Sequence, residues 1–103
     1  MTFKIFDHIG KSGLDSDKAV RFINEVVVPN SITSEEKIVL DFFGIHNVNS
    51  SFVNALFLNL FVKFGSEIVS NRLKVINCRS NIADIVEAGI DYSFERSKEL
   101  IAT

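Results

Sequence analysis

Apolar positions recur along the chain at spacings of two and of three to four residues, and each switch between the two marks a new element. From Phe3 to Ile9, aromatic and β-branched residues interleave with Lys4, Asp7 and His8, which predicts a strand over 3–9 with one wet face. Gly10-Lys11-Ser12-Gly13 breaks that pattern, and a further short strand is expected over 11–14. Asp15 or Ser16 then stands where an N-cap belongs. Beyond it Ala19, Phe22, Ile23 and Val26 fall on one helical face, with Lys18, Arg21, Asn24 and Glu25 on the other. This helix is expected to stop near Val28, because Pro29 lacks an N–H and disfavours helical geometry in the residue before it. Residues 30–36 read as a polar connection whose Ser34, Glu35 and Glu36 face water.

The stretch from Lys37 to Gly65 organises the rest. An apolar run of strand length over 37–45 contains Ile38-Val39-Leu40 and Asp41-Phe42-Phe43. A polar corner, His46-Asn47-Val48-Asn49-Ser50-Ser51, leads from it into an apolar run of helical length, Phe52 to Phe64. Ser50 and Ser51 fall where that helix begins, so a side-chain oxygen there can accept from free backbone N–H groups. The helix itself is apolar on nearly every side. Such a helix is either enclosed by its own domain or meets a partner, a homodimer for example, and Phe52, Phe57 and Phe61 are the residues that would carry an interface. Gly65 is a C-terminal stop, with Glu67-Ile68-Val69 able to add a further turn. A strand is predicted over 72–78. Next, Asn81 caps a short helix that shows Ile82, Ile85 and Val86 on one face and ends at Gly89; a last helix follows over 91–102. Alternating strands and helices predict an α/β fold, a mixed sheet of about four strands with helices packed on it, in a single domain over 1–103.

Composition narrows the function classes more than it names one. An apolar share of 47% with 23% charged residues is that of a globular chain; the ten Phe with no Trp are a bias without a physical account. The net charge of −2 offers no basic surface to a phosphate backbone, which argues against a nucleic-acid partner. A single cysteine, Cys78, rules out an internal disulfide, and Met1-Thr2-Phe3-Lys4 leads into a strand pattern, not a secretory h-region; a cytoplasmic setting is expected. The apolar run Val53 to Val62, interrupted by Asn54 and Asn59, is too short to span a bilayer, so no membrane partner is expected.

The order of elements, and Asp41-Phe42 followed by Ser51-Phe52 in particular, resembles the STAS superfamily. That superfamily includes bacterial anti-sigma-factor antagonists and the cytoplasmic tails of sulfate transporters. The closer likeness is to its STAS-like branch of unknown function, whose core is a strand ending in Asp-Phe, a short link, and Ser-Phe opening the next helix. The likeness runs from about Phe3 to Tyr92. It implies a non-enzymatic regulatory or adaptor module that docks on a protein. In the antagonists that partner is a histidine-kinase-type ATPase, which phosphorylates the helix-start serine and so ends its own binding. Where those proteins carry Asp-Ser-Ser-Gly, this chain has Asn49-Ser50-Ser51-Phe52. By that likeness Ser50, Ser51, Asn49 and Asp41 are the candidate docking or phosphorylation residues, with Ser50 as the acceptor and no cofactor required.

Other chemistries are weaker on the residues present. Asp41 alone is not a metal site, and His8 and His46 lack a partnering ligand at zinc spacing; an Asp at a strand end more often bonds its own turn. A Ser50, His46, Asp41 triad can be written, but no nucleophile-elbow motif accompanies it. Cys78 reads as a small buried residue, and Gly10 and Gly13 do not make a phosphate loop. The alternative to a protein-docking module is a small-ligand sensor, in which the helix start at Ser50 and Ser51 holds an anion or a nucleotide phosphate on its N–H groups.

Overall fold

The computed structural model of the chain describes residues 1–31 and 36–102. Its elements run β1 (Thr2–Lys4), α1 (Phe6–Ile9), β2 (Ser12–Gly13), α2 (Ser16–Phe22), a π-helical turn (Ile23–Val27), α3 (Val28–Ser31), β3 (Ile38–Asp41), β4 (Asn47–Val48), α4 (Ser50–Phe64), α5 (Ser66–Arg72), β5 (Leu73–Ile76) and α6 (Ser80–Ala102). The α/β layering agrees with the sequence pattern. All pairings among the described residues are parallel, where a mixed sheet was expected: a three-stranded sheet in the order β1-β3-β5 and a separate pair, β2-β4. Each successive strand of the larger sheet is reached through helices, which return the chain to the starting edge and so make neighbours parallel.

Several elements differ from the periodicity, among them the strand expected over 37–45, which ends at Asp41, where the carboxylate accepts from Phe43 N–H and turns the chain. The strand over 3–9 ends at Lys4, because continued alternation would turn Asp7 inward with Phe3 and Ile5. A helical turn instead bonds Ile9 N–H to the Ile5 carbonyl at 3.1 Å and leaves Asp7 exposed. The helix expected to end near Val28 continues past Pro29 to Ser31. A π-turn precedes the proline, with Val28 N–H bonded five residues back to Ile23; the wider turn gives the ring room, and Asn30 Nδ2 donates to the Val26 carbonyl at 2.6 Å. The two helices expected over 82–89 and 91–102 are one helix of 23 residues. Asn81 is inside it rather than at its cap, and donates instead to the His46 carbonyl at 3.0 Å. Of the residues expected to face water in the 30–36 connection, Glu36 is exposed, while Ser34 and Glu35 lie outside the described residues.

Register assigns the sheet's two faces. Phe3, Leu40 and Val75 are aligned across β1, β3 and β5 and point, with Ile38 and Leu73, into the core. The opposite face presents Thr2, Val39 and Lys74 in one row, and Lys4, Asp41 and Ile76 in the next. Helix α4 lies between α2 and α6, and its Phe52, Val53, Leu56, Phe57, Leu60 and Phe61 are buried in the same core as Ile38 and Leu40. Gly65 ends it as expected, with φ near 90° and its N–H on the Phe61 carbonyl at 2.7 Å. Gly89 allows α6 its close approach to α4: a Cβ there would overlap Val53 Cγ1. An edge-to-face contact of Phe61 with Phe94 at 5.8 Å and a bond from Ser93 Oγ to the Asn54 carbonyl at 3.3 Å complete that interface.

Candidate functional site

The corner between β3 and α4 is built by the short β2-β4 pair. Ser12 and Gly13 align with Asn47 and Val48; Ser12 Oγ donates to Asn47 Oδ1 at 2.6 Å, and Asn49 N–H donates to the Gly13 carbonyl at 3.0 Å. Gly13 rests on the Phe52 ring so closely that a Cβ at that position would stand 2.7 Å from it. Held in this way, Asn49 keeps extended geometry (φ −113°, ψ 167°), and its Oδ1 accepts from Phe52 N–H at 2.8 Å while its Nδ2 donates to the Leu14 carbonyl at 3.1 Å. Asn49 is therefore the N-cap of α4. Ser50 and Ser51 are the first two residues of the helix, both exposed, and among the described residues neither hydroxyl has a hydrogen-bond partner.

Asp41 belongs to a different arrangement. Its carboxylate is buried, and Oδ1 accepts from Phe43 N–H and from Asn77 Nδ2, both at 2.9 Å. One acid thus ties the exit of β3 to the exit of β5, the turn-bonding role expected of a strand-end Asp. Among the described residues the His46 ring makes no hydrogen bond to Asp41 or to Ser50, so the Ser50, His46, Asp41 triad does not assemble in this geometry. Among the described residues no group of three or more His, Cys, Asp or Glu is placed to hold a metal ion.

The three aromatic interface candidates lie inside the protein. Phe52 and Phe57 are fully enclosed and Phe61 nearly so, because α4 is covered by α2, α6 and the sheet. What α4 leaves at the surface is a groove of about 320 Å³ where its Ala55, Leu58 and Val62 meet Val20 and Leu100.

A second cleft, of about 520 Å³, opens beyond the carboxyl ends of the three-stranded sheet. Phe6 lines it after β1, Phe43 and Gly44 after β3, and Asn77, Cys78 and Arg79 after β5, with His46 from the corner link. Phe43 is 72% exposed and Phe6 44%. Burial pushes the Cys78 thiol up from its usual value, so it stays uncharged at neutral pH. These residues escaped the sequence pattern because an exposed Phe is indistinguishable from a core Phe in a chain with ten of them; the Phe43-Gly44 pair after an Asp was the one available turn signal.

The model of the STAS-like domain of unknown function matches residues 18–83, more than half of the 103, running from the first turn of α2 through β3, the corner, α4 and β5 to the first turn of α6. The chain belongs to this family. No curated protein and no solved structure matches the chain. The match to the STAS-like family takes in Asp41, the serine corner and most of the cleft, and it supports a module of regulatory type. No single helix among the described residues of this STAS-like domain is long and apolar enough to cross a membrane.

Proposed function

We propose that this STAS-like domain is a non-catalytic adaptor that docks on a protein partner through the corner at the start of α4, with a histidine-kinase-type ATPase as the partner class and Ser50 as the residue whose phosphorylation ends docking. One observation supports the reading above others: because Asn49 supplies the cap, the hydroxyls of Ser50 and Ser51 are unengaged and face solvent in the first turn of a 15-residue helix. A phosphate on Ser50 would gain from the free N–H groups and from the dipole of that turn. Its charge and bulk would at the same time oppose an apolar docking surface. The rigid base under the corner, from Gly13 on Phe52 to Asn49 on Leu14, holds the serines in place without using their hydroxyls.

Co-elution of the chain with a histidine-kinase-type ATPase, and intact mass after incubation with ATP, tests this. The expected results are a complex in the absence of ATP, a single phosphate adduct with ATP that Ser50→Ala abolishes, and affinity weakened by Ser50→Asp without loss of fold. Neither complex nor adduct with any ATPase of this class would overturn the assignment.

A further inference from the structure

We propose that the cleft beyond the carboxyl ends of β1, β3 and β5 is a binding site for a small planar aromatic anion, whose ring packs against Phe6 and Phe43 and whose carboxylate or phosphate is held by Arg79. This site is separate from the serine corner and does not depend on the docking role given to it.

The cleft is framed by the three segments that leave the carboxyl ends of β1, β3 and β5, so side chains far apart in sequence converge on one concave surface. This cleft, at about 520 Å³, is large enough for a fused-ring ligand. Its rim leaves two phenyl rings in water, with Phe43 at 72% and Phe6 at 44% exposure, and apolar surface of that size is what a stacked ring would cover. The rings are not loosely held. Gly44, at φ +87°, brings its Cα so near Phe6 that a Cβ would sit 2.8 Å from the ring, and Asp41 fixes the Phe43 turn through its bond to Phe43 N–H.

Charge selects the second feature of the ligand. Among the described residues no carboxylate lines the cleft; the Oδ1 of Asp41, at the exit of β3, accepts from Phe43 N–H and Asn77 Nδ2, and burial pushes the Cys78 thiol further up, so it adds no negative charge. Among the described residues Arg79 has no acidic partner, although the protein as a whole carries a net charge of −2. Arg79 is exposed where it lines this largely apolar cleft, and an arginine there can meet a planar carboxylate or phosphate with two parallel hydrogen bonds.

The test is an amide chemical-shift titration of the full chain with naphthoate and with naphthyl phosphate. Naphthalenemethanol supplies the ring without the charge, and inorganic phosphate the charge without the ring. Saturable shifts at Phe43, Gly44, Cys78 and Arg79 are expected with at least one of the two aromatic anions, and the tighter of the two identifies carboxylate or phosphate as the natural group. That affinity should exceed those of the alcohol and of inorganic phosphate by about tenfold or more, and Arg79→Ala and Phe43→Ser should each lower it by about tenfold with the remaining spectrum unchanged. Several outcomes overturn the proposal: no saturable shift at these amides in the millimolar range, shifts confined to residues 49–52, equal binding of the neutral alcohol, or an affinity that Arg79→Ala leaves intact.

Discussion

Of the three polar residues that open α4, one holds the structure together and two are left to solvent. Asn49 closes the first turn and stitches it to Leu14, whereas Ser50 and Ser51 contribute no hydrogen bond among the described residues. Asn49→Ala should therefore lower stability by about 1 kcal/mol, whereas Ser50→Ala and Ser51→Ala should each stay within about 0.5 kcal/mol; urea denaturation monitored by circular dichroism checks all three. A serine variant as damaging as the Asn49 variant would mean that the cap lies elsewhere. The sequence pointed to this corner and to one of its two serines as the capping side chain, whereas the residue before them, Asn49, takes the role. That choice depends on where the backbone leaves extended geometry, and Gly13 settles it from 36 residues away by accepting from Asn49 N–H. Asp41 follows the same logic: its position at a strand end was legible, but its second partner, Asn77, lies on a different strand exit.

At the scale of elements, the strongest departure from the local pattern is α6, where a glycine that reads as a stop is an interior contact. Isolated, Gly89 would weaken the helix by roughly 1 kcal/mol relative to alanine. Pressed against Val53, it is the residue type that fits, since any side chain would overlap the valine. Gly89→Ala is thus expected to destabilise by about 1–3 kcal/mol despite its better helix propensity, and Gly89→Ala combined with Val53→Ala should regain part of that loss. Thermal melts of the single and double variants measure it; a Gly89→Ala variant more stable than wild type would show that the two helices do not meet there. The helix through Pro29 makes the complementary point. A proline is a stop where the turn before it is an ordinary α-turn, and the π-turn over Ile23–Val27 changes that condition.

At the scale of the molecule, stability rests on one core shared by the sheet and by α2, α4 and α6. The three ion pairs among the described residues are exposed and contribute little. Urea unfolding followed by circular dichroism and by tyrosine fluorescence should accordingly give one coincident transition. Phe57→Ala should lower its free energy by about 3–5 kcal/mol, a large fraction of a domain's usual stability, and Phe57→Asp should not fold at all. Soluble, monomeric and equally stable Phe57→Asp protein would contradict the enclosure of α4. The same enclosure leaves Phe52, Phe57 and Phe61 without surface to offer a second copy.

From its residues alone this chain specified its class, the strand that feeds α4, the polar corner between them, the Gly65 stop and a cap at Asp15 or Ser16, of which Asp15 takes the role with its Oδ1 accepting from Asp17 N–H at 2.9 Å. Each of these is a property of neighbours in sequence: periodicity, capping and turn chemistry act within a few residues. The parallel pairing, the unbroken α6, the placement of Phe43 and Phe6 in water instead of in the core, and the meeting of three strand exits around one cleft were decided only by tertiary contacts. Those outcomes depend on residues about 35 or more positions apart, such as Asn77 on Asp41 and Gly89 on Val53, and local patterning carries no record of which distant side chain will occupy the neighbouring space.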